Sequence, residues 1–163
     1  MEQYVRTSLA ALILLLLQTT VVPFLSLAGY VPDVLLIWVV YIAIRRGHVE
    51  AAVSGFLVGL AQDMTTTQFF GLAALAKTVG GFAAGYFFNE NTTVQTLGTY
   101  RFVLITLLAS LIHNILYYMV FFQGIEASLV GTTLRFSFLT GLYTSLLAFL
   151  PMFVFARKHS LIS

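Results

Sequence analysis

Charged residues are scarce in this chain, and cysteine is absent from it. Only 9% of the 163 residues are charged, whereas 60% are hydrophobic. A soluble domain has about 25% charged residues, so the few present here could not cover a globule with polar surface. The lack of cysteine excludes disulfides, thiolate chemistry and cysteine-based metal sites. The composition therefore predicts an integral membrane protein.

The length of the chain limits what else it can contain. A helix that crosses the hydrocarbon core needs roughly 20 apolar residues, so six spans take about 120 residues and leave about 40 for all loops and both ends. We therefore expect an all-α integral membrane protein, a compact bundle of six transmembrane helices over residues 1–163 without a soluble domain. Five spans are the alternative, because the third apolar segment is short and weakly hydrophobic.

The predicted spans follow the apolar runs of the sequence. They extend from about Val5 to Val22, Asp33 to Ile44, Val49 to Gln62, Gly71 to Phe88, Tyr100 to Phe122 and Ser137 to Ala156. Ser26-Leu27-Ala28 resembles a signal-peptide cleavage site. The N-terminal region has only one arginine, Arg6, which disfavours cleavage.

The cationic residues predict the orientation of the bundle. With six spans and a cytoplasmic N-terminus, the cytoplasmic side receives Arg6, Arg45, Arg46, Arg101, Arg157 and Lys158. Arg45 and Arg46 form a basic turn there, whereas Arg135 falls on the outer side and Lys77 lies within the fourth span. The positive-inside rule therefore predicts that both termini face the cytoplasm.

Two stripes of mostly small residues follow a four-residue period in the third and fourth spans. One stripe contains Ala51, Gly55, Gly59 and Asp63, and the other contains Ala73, Lys77, Gly81 and Gly85. Small residues at this spacing let helix backbones approach closely in lipid. We expect the stripes to form a contact inside the protein, with a contact to another protein as the alternative.

Two acidic residues and one lysine stand out because charge is costly in a membrane. Lys77 lies about 9 Å into its span, and Asp63 is the nearest acid by topology. We expect these two to pair and so to join the third span to the fourth, with a ligand-binding or proton-relay role as the alternative. Asp33 follows a proline, and we expect it to cap the second helix.

The fifth span has a polar face that must look inward or toward another protein. Ser110, His113, Asn114 and Tyr117 follow one another at helical spacing. This pattern predicts a cluster of hydrogen bonds between helices, with a pocket for a small ligand as the alternative. The chain has no motif for paired-carboxylate, phosphate-loop or activated-nucleophile chemistry, so we expect neither an enzyme nor a cofactor, metal or nucleic-acid site.

Several short motifs in the first half resemble one family of bacterial inner-membrane proteins, the rod shape-determining protein MreD family. In chain order they are Leu17-Gln18, Pro32-Asp33, Arg45-Arg46-Gly47, Gly55, Gly59, Asp63 and Phe70-Gly71-Leu72. The second half is similar in hydropathy and in the number of spans.

The resemblance implies a non-enzymatic subunit of the machinery that builds the lateral cell wall. It implies MreC, a single-span protein with a periplasmic coiled coil, as the direct partner, with membrane lipid around the bundle. Indirect partners would be MreB, RodA and a class B penicillin-binding transpeptidase. If the small-residue stripes face another protein, the resemblance implies the hypothesis that they contact MreC together with an outer polar surface around Asp33, Asp63 and Arg135.

A different class of protein is the alternative. The substrate-binding S components of energy-coupling-factor vitamin transporters are also six-helix bundles with small loops, and MreD is similar to them in shape. Those subunits have an Ala-xxx-Ala motif in the first helix, whereas this chain has Thr7 and Ala11 at that spacing. The face from Ser110 to Tyr117 would then line a residual pocket.

Overall fold

The computed structural model describes residues 2–66, 69–123 and 129–160, without the side chains of residues 3 and 158–160. These residues form eight α-helices and one short 3₁₀ helix, η1, without a β-strand. The elements are α1 Glu2–Thr20, η1 Val22–Leu25, α2 Val34–Arg46, α3 His48–Thr65, α4 Leu72–Gly85, α5 Thr93–Leu97, α6 Tyr100–Phe121, α7 Leu129–Leu147 and α8 Phe149–Ser160.

The helix α2 lies at the centre of the fold. Its residues are apolar on every face, and Leu35, Leu36, Val39, Val40 and Ala43 are completely buried. A helix that is hydrophobic all round is buried among other helices. The chain enters α2 through the cap Asp33 and leaves it at Gly47, whose φ of 86° suits glycine. The remaining helices therefore pack around α2.

The structure bears out an all-helical fold but gives fewer long spans than the sequence predicts. Two helical stretches, Tyr100–Phe121 and Leu129–Arg157, are long and apolar enough to cross a membrane. The second corresponds to the predicted sixth span but begins earlier, and α7 is separated from α8 at Ala148. α2 has 13 residues, so it is about 20 Å long, which is less than a hydrocarbon core of about 30 Å.

The helices α3 and α4 approach each other more closely than side chains would permit. A methyl group added to Gly55 would lie 2.5 Å from the carbonyl oxygen of Lys77, and one added to Gly59 would lie 2.5 Å from the Cα of Ala74. On α4, a methyl group added to Gly81 would lie 2.9 Å from the carbonyl oxygen of Ala51 on α3. The two stripes therefore face each other, backbone against backbone.

Cationic residues from four helices collect at one end of the molecule, here called the basic end: Arg6, Arg45, Arg46, Arg101 and Arg157. The start of α1 meets the end of α2 there, because Arg46 lies 3.4 Å from the Thr7 hydroxyl and over the Tyr4 ring. The start of α6 is close to the end of α8, since a methyl on Gly98 would lie 3.2 Å from the Cα of Ala156. The side chain of the predicted cytoplasmic Lys158 lies outside the described residues.

Candidate functional site

The most unusual feature of the interior is a buried ion pair between α4 and the start of α2. Lys77 is 0% exposed, and its Nζ donates a hydrogen bond of 2.5 Å to Oδ2 of Asp33. Asp33 is itself buried. Since removing a charge from water is expensive, each of these two groups is tolerable only because the other neutralises it. The pair therefore joins α4 to α2 in the middle of the protein.

Asp33 is held by two further hydrogen bonds, which define its position. Its Oδ1 accepts a hydrogen bond of 2.9 Å from the backbone N–H of Leu36 and so caps α2. Its own N–H donates to the hydroxyl of Thr144 on α7, at 3.0 Å. The side-chain carboxylate of Asp33 therefore connects the N-terminus of α2 with α4, and the backbone N–H of Asp33 connects the same point with α7.

Gln18 on α1 holds the segment that leads into this cap. Its amide nitrogen donates to the carbonyl of Pro32 at 3.0 Å, and its amide oxygen accepts from the N–H of Val34 at 2.8 Å. The side chain is buried, so it satisfies backbone groups that water does not reach. Gln18 thereby attaches α1 to the start of α2.

The predicted polar face of α6 borders the ion pair. Ser110, His113 and Asn114 are buried, and the Asn114 amide donates to the Ser110 hydroxyl at 3.1 Å and to the Ser137 carbonyl on α7 at 3.5 Å. Nδ1 of His113 lies 3.1 Å from the Asn114 amide oxygen, and Tyr117 stacks on the His113 ring. The predicted polar face is therefore buried and forms a hydrogen-bond cluster, mostly within α6, of which one bond crosses to α7 at the Ser137 carbonyl.

Three buried polar atoms at one side of this cluster form no hydrogen bond with the described residues. His113 Nε2 lies 3.7 Å from Oδ2 of Asp33, which is beyond hydrogen-bond distance. It has no partner among the described residues, and neither do the hydroxyls of Thr133 and Ser137. Buried groups of this kind in native proteins are commonly bridged by ordered water.

The predicted pairing of Lys77 with Asp63 is wrong. The carboxylate of Asp63 instead accepts hydrogen bonds of 3.0–3.1 Å from the backbone N–H groups of Gly71, Ala73 and Ala74 at the start of α4. The first N–H groups of a helix have no partner within it, and a carboxylate also interacts favourably with this end of the helix dipole. Asp63 is therefore an acceptor for α4, which leaves Lys77 to pair with Asp33.

The structure also corrects the predicted partner surface. Ala51, Gly55, Gly59, Gly81 and Gly85 are buried between α3 and α4 or α2, so the stripes are not available to another protein. Asp33 and Asp63 are buried as well. Of the polar surface that we expected to contact MreC, only Arg135 is exposed.

Gln18 and Thr144 are residues of this site whose contacts the sequence patterns do not predict, although Gln18 belongs to one of the family motifs. Gln18 had a detectable signal, because an amide in an otherwise apolar span needs a hydrogen-bond partner. Thr144 had none, since it lies in a segment with several other hydroxyl residues, and only its position opposite Asp33 distinguishes it.

A groove at the surface is the second candidate site. It has a volume of about 860 Å³, its floor is α2, and its walls are α1 with η1 on one side and the α7–α8 segment on the other. Apolar side chains line most of its length, including Leu14, Ile37 and Leu150. Arg6, Arg45 and Arg46 line its basic end, and Trp38 of α2 lies in its floor.

The described residues do not group three or more histidine or acidic side chains in a way that could hold a metal ion. Within the buried cluster, the lysine and the carboxylate bind each other, so neither is presented to a substrate. The arrangement is suited to joining helices. The fold and the cluster thus define an all-helical protein whose surface suits a membrane and whose interior is fastened by polar contacts.

A model of one protein family, described as rod shape-determining protein MreD, matches residues 2–159 of the 163-residue chain. The chain therefore belongs to the MreD family, a membrane-associated family involved in the determination of rod shape. Neither a comparison with curated proteins nor one with solved structures gives a significant match.

Proposed function

We propose that this protein is a non-enzymatic scaffold subunit of the bacterial cell-elongation complex in the inner membrane. It binds an MreC-like single-span protein with a periplasmic coiled coil and so supports lateral peptidoglycan synthesis and cell shape. MreB, RodA and a class B penicillin-binding transpeptidase are indirect partners. Membership of the MreD family supports a role in shape determination.

The observation that carries the scaffold role is the mutual engagement of the interior polar groups. Lys77 binds Asp33, Asp63 accepts from three N–H groups of α4, and Asn114 binds across to α7. An enzyme or transporter needs such groups to face a substrate. Here they hold helices at fixed positions, which is what a protein that orients a neighbour's helix requires.

The distribution of charge supports an orientation for this scaffold. Arg6, Arg45, Arg46, Arg101 and Arg157 lie at the basic end, whereas Arg135 lies at the start of α7. The positive-inside rule places the basic end in the cytoplasm, with both termini there. Bundling would let shorter helices such as α2 contribute to six crossings, because most of α2 is buried among other helices.

The partner would contact exposed apolar helix faces rather than the small-residue stripes. Ile13 on α1, Val53 on α3 and Phe138 on α7 are each about half exposed and point away from the core. A single transmembrane helix packs on such a face through van der Waals contacts, since apolar surfaces gain nothing from leaving lipid for another apolar surface.

Affinity purification from native membranes in mild detergent, followed by mass spectrometry of stoichiometric partners, tests the proposal. We expect a single-span protein with a long periplasmic coiled coil, accompanied by wall-synthesis enzymes. A photocrosslinking amino acid at Ile13, Val53 or Phe138 should then crosslink to that partner from one helix face and not from the other two. Two ATPases with a membrane coupling subunit would contradict the proposal and identify an S component of a vitamin transporter.

The choice of variants matters for this experiment. Gly55→Leu is unsuitable, because the new side chain would meet the backbone of α4 and destabilise the protein whether or not a partner binds there. Arg135→Gln is suitable, since Arg135 is exposed and its loss leaves the described core unchanged. If the outer polar surface contributes to partner binding, Arg135→Gln should reduce the recovered partner while the protein remains folded.

A further inference from the structure

The groove on α2 has the shape and charge of a binding site for one lipid molecule. Its lining on α2 runs from Val34 to Arg46, a distance of about 18 Å along a helix, and is apolar except at the end formed by Arg45 and Arg46. One leaflet contributes half of a hydrocarbon core of about 30 Å, or about 15 Å. A lipid acyl chain from one leaflet fits this length, whereas a transmembrane helix would need the full thickness.

Charge distinguishes the two ends of this groove. Arg6, Arg45 and Arg46 line the basic end, and the described residues of the lining include no aspartate or glutamate. Arg45 is exposed, and its guanidinium contacts the uncharged Tyr41, whose hydroxyl accepts a hydrogen bond of 2.6 Å. An anionic headgroup beside Arg45 would meet cationic donors and no acid among the described residues that line the groove.

The other two arginines have acidic neighbours that do not prevent this role. Arg6 pairs with Glu2 at 3.1 Å, but both side chains are about 80% exposed, and such surface pairs contribute little. Arg46 lies 3.2 Å from Glu50 and stacks over Tyr4, so it forms part of the fixed wall. Arg6 and Arg45 are therefore the side chains able to turn toward a phosphate.

We propose that this groove binds one anionic phospholipid, with the acyl chain along α2 between α1 and α8 and the phosphate at Arg6 and Arg45. The lipid comes from the leaflet at the basic end. It fills the space that α1 leaves beside α2 and so fastens the first helix to the body of the protein.

Trp38 provides a built-in reporter, because it is the only tryptophan in the sequence and it lines the groove. The protein is reconstituted in phosphatidylcholine vesicles that contain acyl-brominated phosphatidylglycerol or acyl-brominated phosphatidylcholine, each over the same series of mole fractions. Bromine quenches tryptophan fluorescence on contact. We expect half-maximal quenching at a roughly 25-fold lower mole fraction of the anionic lipid, because each of the two arginines contributes about a fivefold preference near a membrane surface.

Matched variants show whether the preference comes from this groove. Arg45→Gln and Arg6→Gln should each reduce it severalfold, whereas Arg135→Gln removes the same charge elsewhere and should leave it unchanged. Ala10→Phe narrows the groove without changing charge and should weaken quenching by the anionic lipid. Because Arg6 is highly exposed, its variant keeps the test valid if the Arg45 variant does not fold.

Three outcomes would overturn the proposal. Equal quenching by the two brominated lipids would show that only surrounding lipid reaches Trp38. A preference that persists in both arginine variants would place the anionic lipid elsewhere. Relief of quenching by an added single-span helical peptide, with no dependence on lipid charge, would make the groove a site for a protein helix.

Discussion

The helix α1 lies beside α2 and the helix α3 packs against α4. These two outer helices are attached to the rest of the protein in different ways. α3 packs through glycines against the backbone of α4, and one of its ends is tied down by the carboxylate of Asp63. α1 buries only Ala11 and Gln18 among its described residues and leaves a groove beside α2. Because apolar side chains have no hydrophobic reason to leave lipid for one another, close backbone packing and polar contacts decide which helices adhere firmly.

The largest effect should come from the ion pair that joins α2 and α4. Lys77→Met leaves the Asp33 carboxylate buried without its counter-charge, and breaking a buried pair in this way costs about 3–5 kcal/mol of unfolding free energy. Unfolding in mixed detergent micelles measures it. The double variant Lys77→Met with Asp33→Asn should recover part of the loss; a single variant as stable as the wild type would show that the pair does not matter for stability.

The glycine contact between α3 and α4 should come next. Gly55→Leu forces a side chain into the carbonyl of Lys77, and the backbone cannot yield as a side chain would, so we expect a loss of about 3 kcal/mol, at the upper end of the range for overpacking. Val53→Leu adds volume to an exposed position of the same helix and should change stability by less than about 0.5 kcal/mol. Similar unfolding curves for both variants would contradict the close packing.

Removal of the acceptor at the start of α4 should have an intermediate effect. Asp63→Ala leaves three N–H groups without the carboxylate, and the loss of a helix cap costs about 0.5–2 kcal/mol. Hydrogen exchange at Ala73 and Ala74 should accelerate more than exchange in α6. If exchange changed equally throughout the protein, the effect of Asp63 would not be local to α4.

The attachment of α1 should prove weaker than that of α3. Gln18→Leu removes two hydrogen bonds to the segment before α2, and interhelical hydrogen bonds in membranes average about 0.6 kcal/mol, so we expect a loss of about 1 kcal/mol. The same unfolding assay measures this loss. A loss larger than that of Gly55→Leu would reverse the order of the two helices.

Substitutions on the outer face of α1 should change the unfolding free energy least. Leu16 is 58% exposed, and Leu16→Ala should alter the unfolding free energy by less than about 0.5 kcal/mol, because it removes contacts with lipid and not with the core. Measurement in detergent and in bilayers should agree. A loss of several kcal/mol in the bilayer would mean that this face is covered by another protein chain.

Much of the fold and part of the site follow from local patterns in the chain. The apolar runs predict the main helices, and the four-residue stripes predict the contact between α3 and α4. The aspartate after Pro32 predicts the N-terminal cap of α2. The polar face of α6 follows from helical spacing. Each of these depends on neighbours within a few turns, which a single sequence contains.

Long-range choices required the tertiary structure. Lys77 had two acids available, and the geometry of α4 decided between them, because the helix N-terminus engaged Asp63 and left Asp33 for the lysine. The residues Asp33 and Thr144 are 111 positions apart, a distance over which no sequence pattern operates. Composition and periodicity thus determined an all-helical, lipid-compatible chain with polar groups to bury, while three-dimensional packing decided which polar group met which, because each buried charge takes the partner that geometry brings within reach.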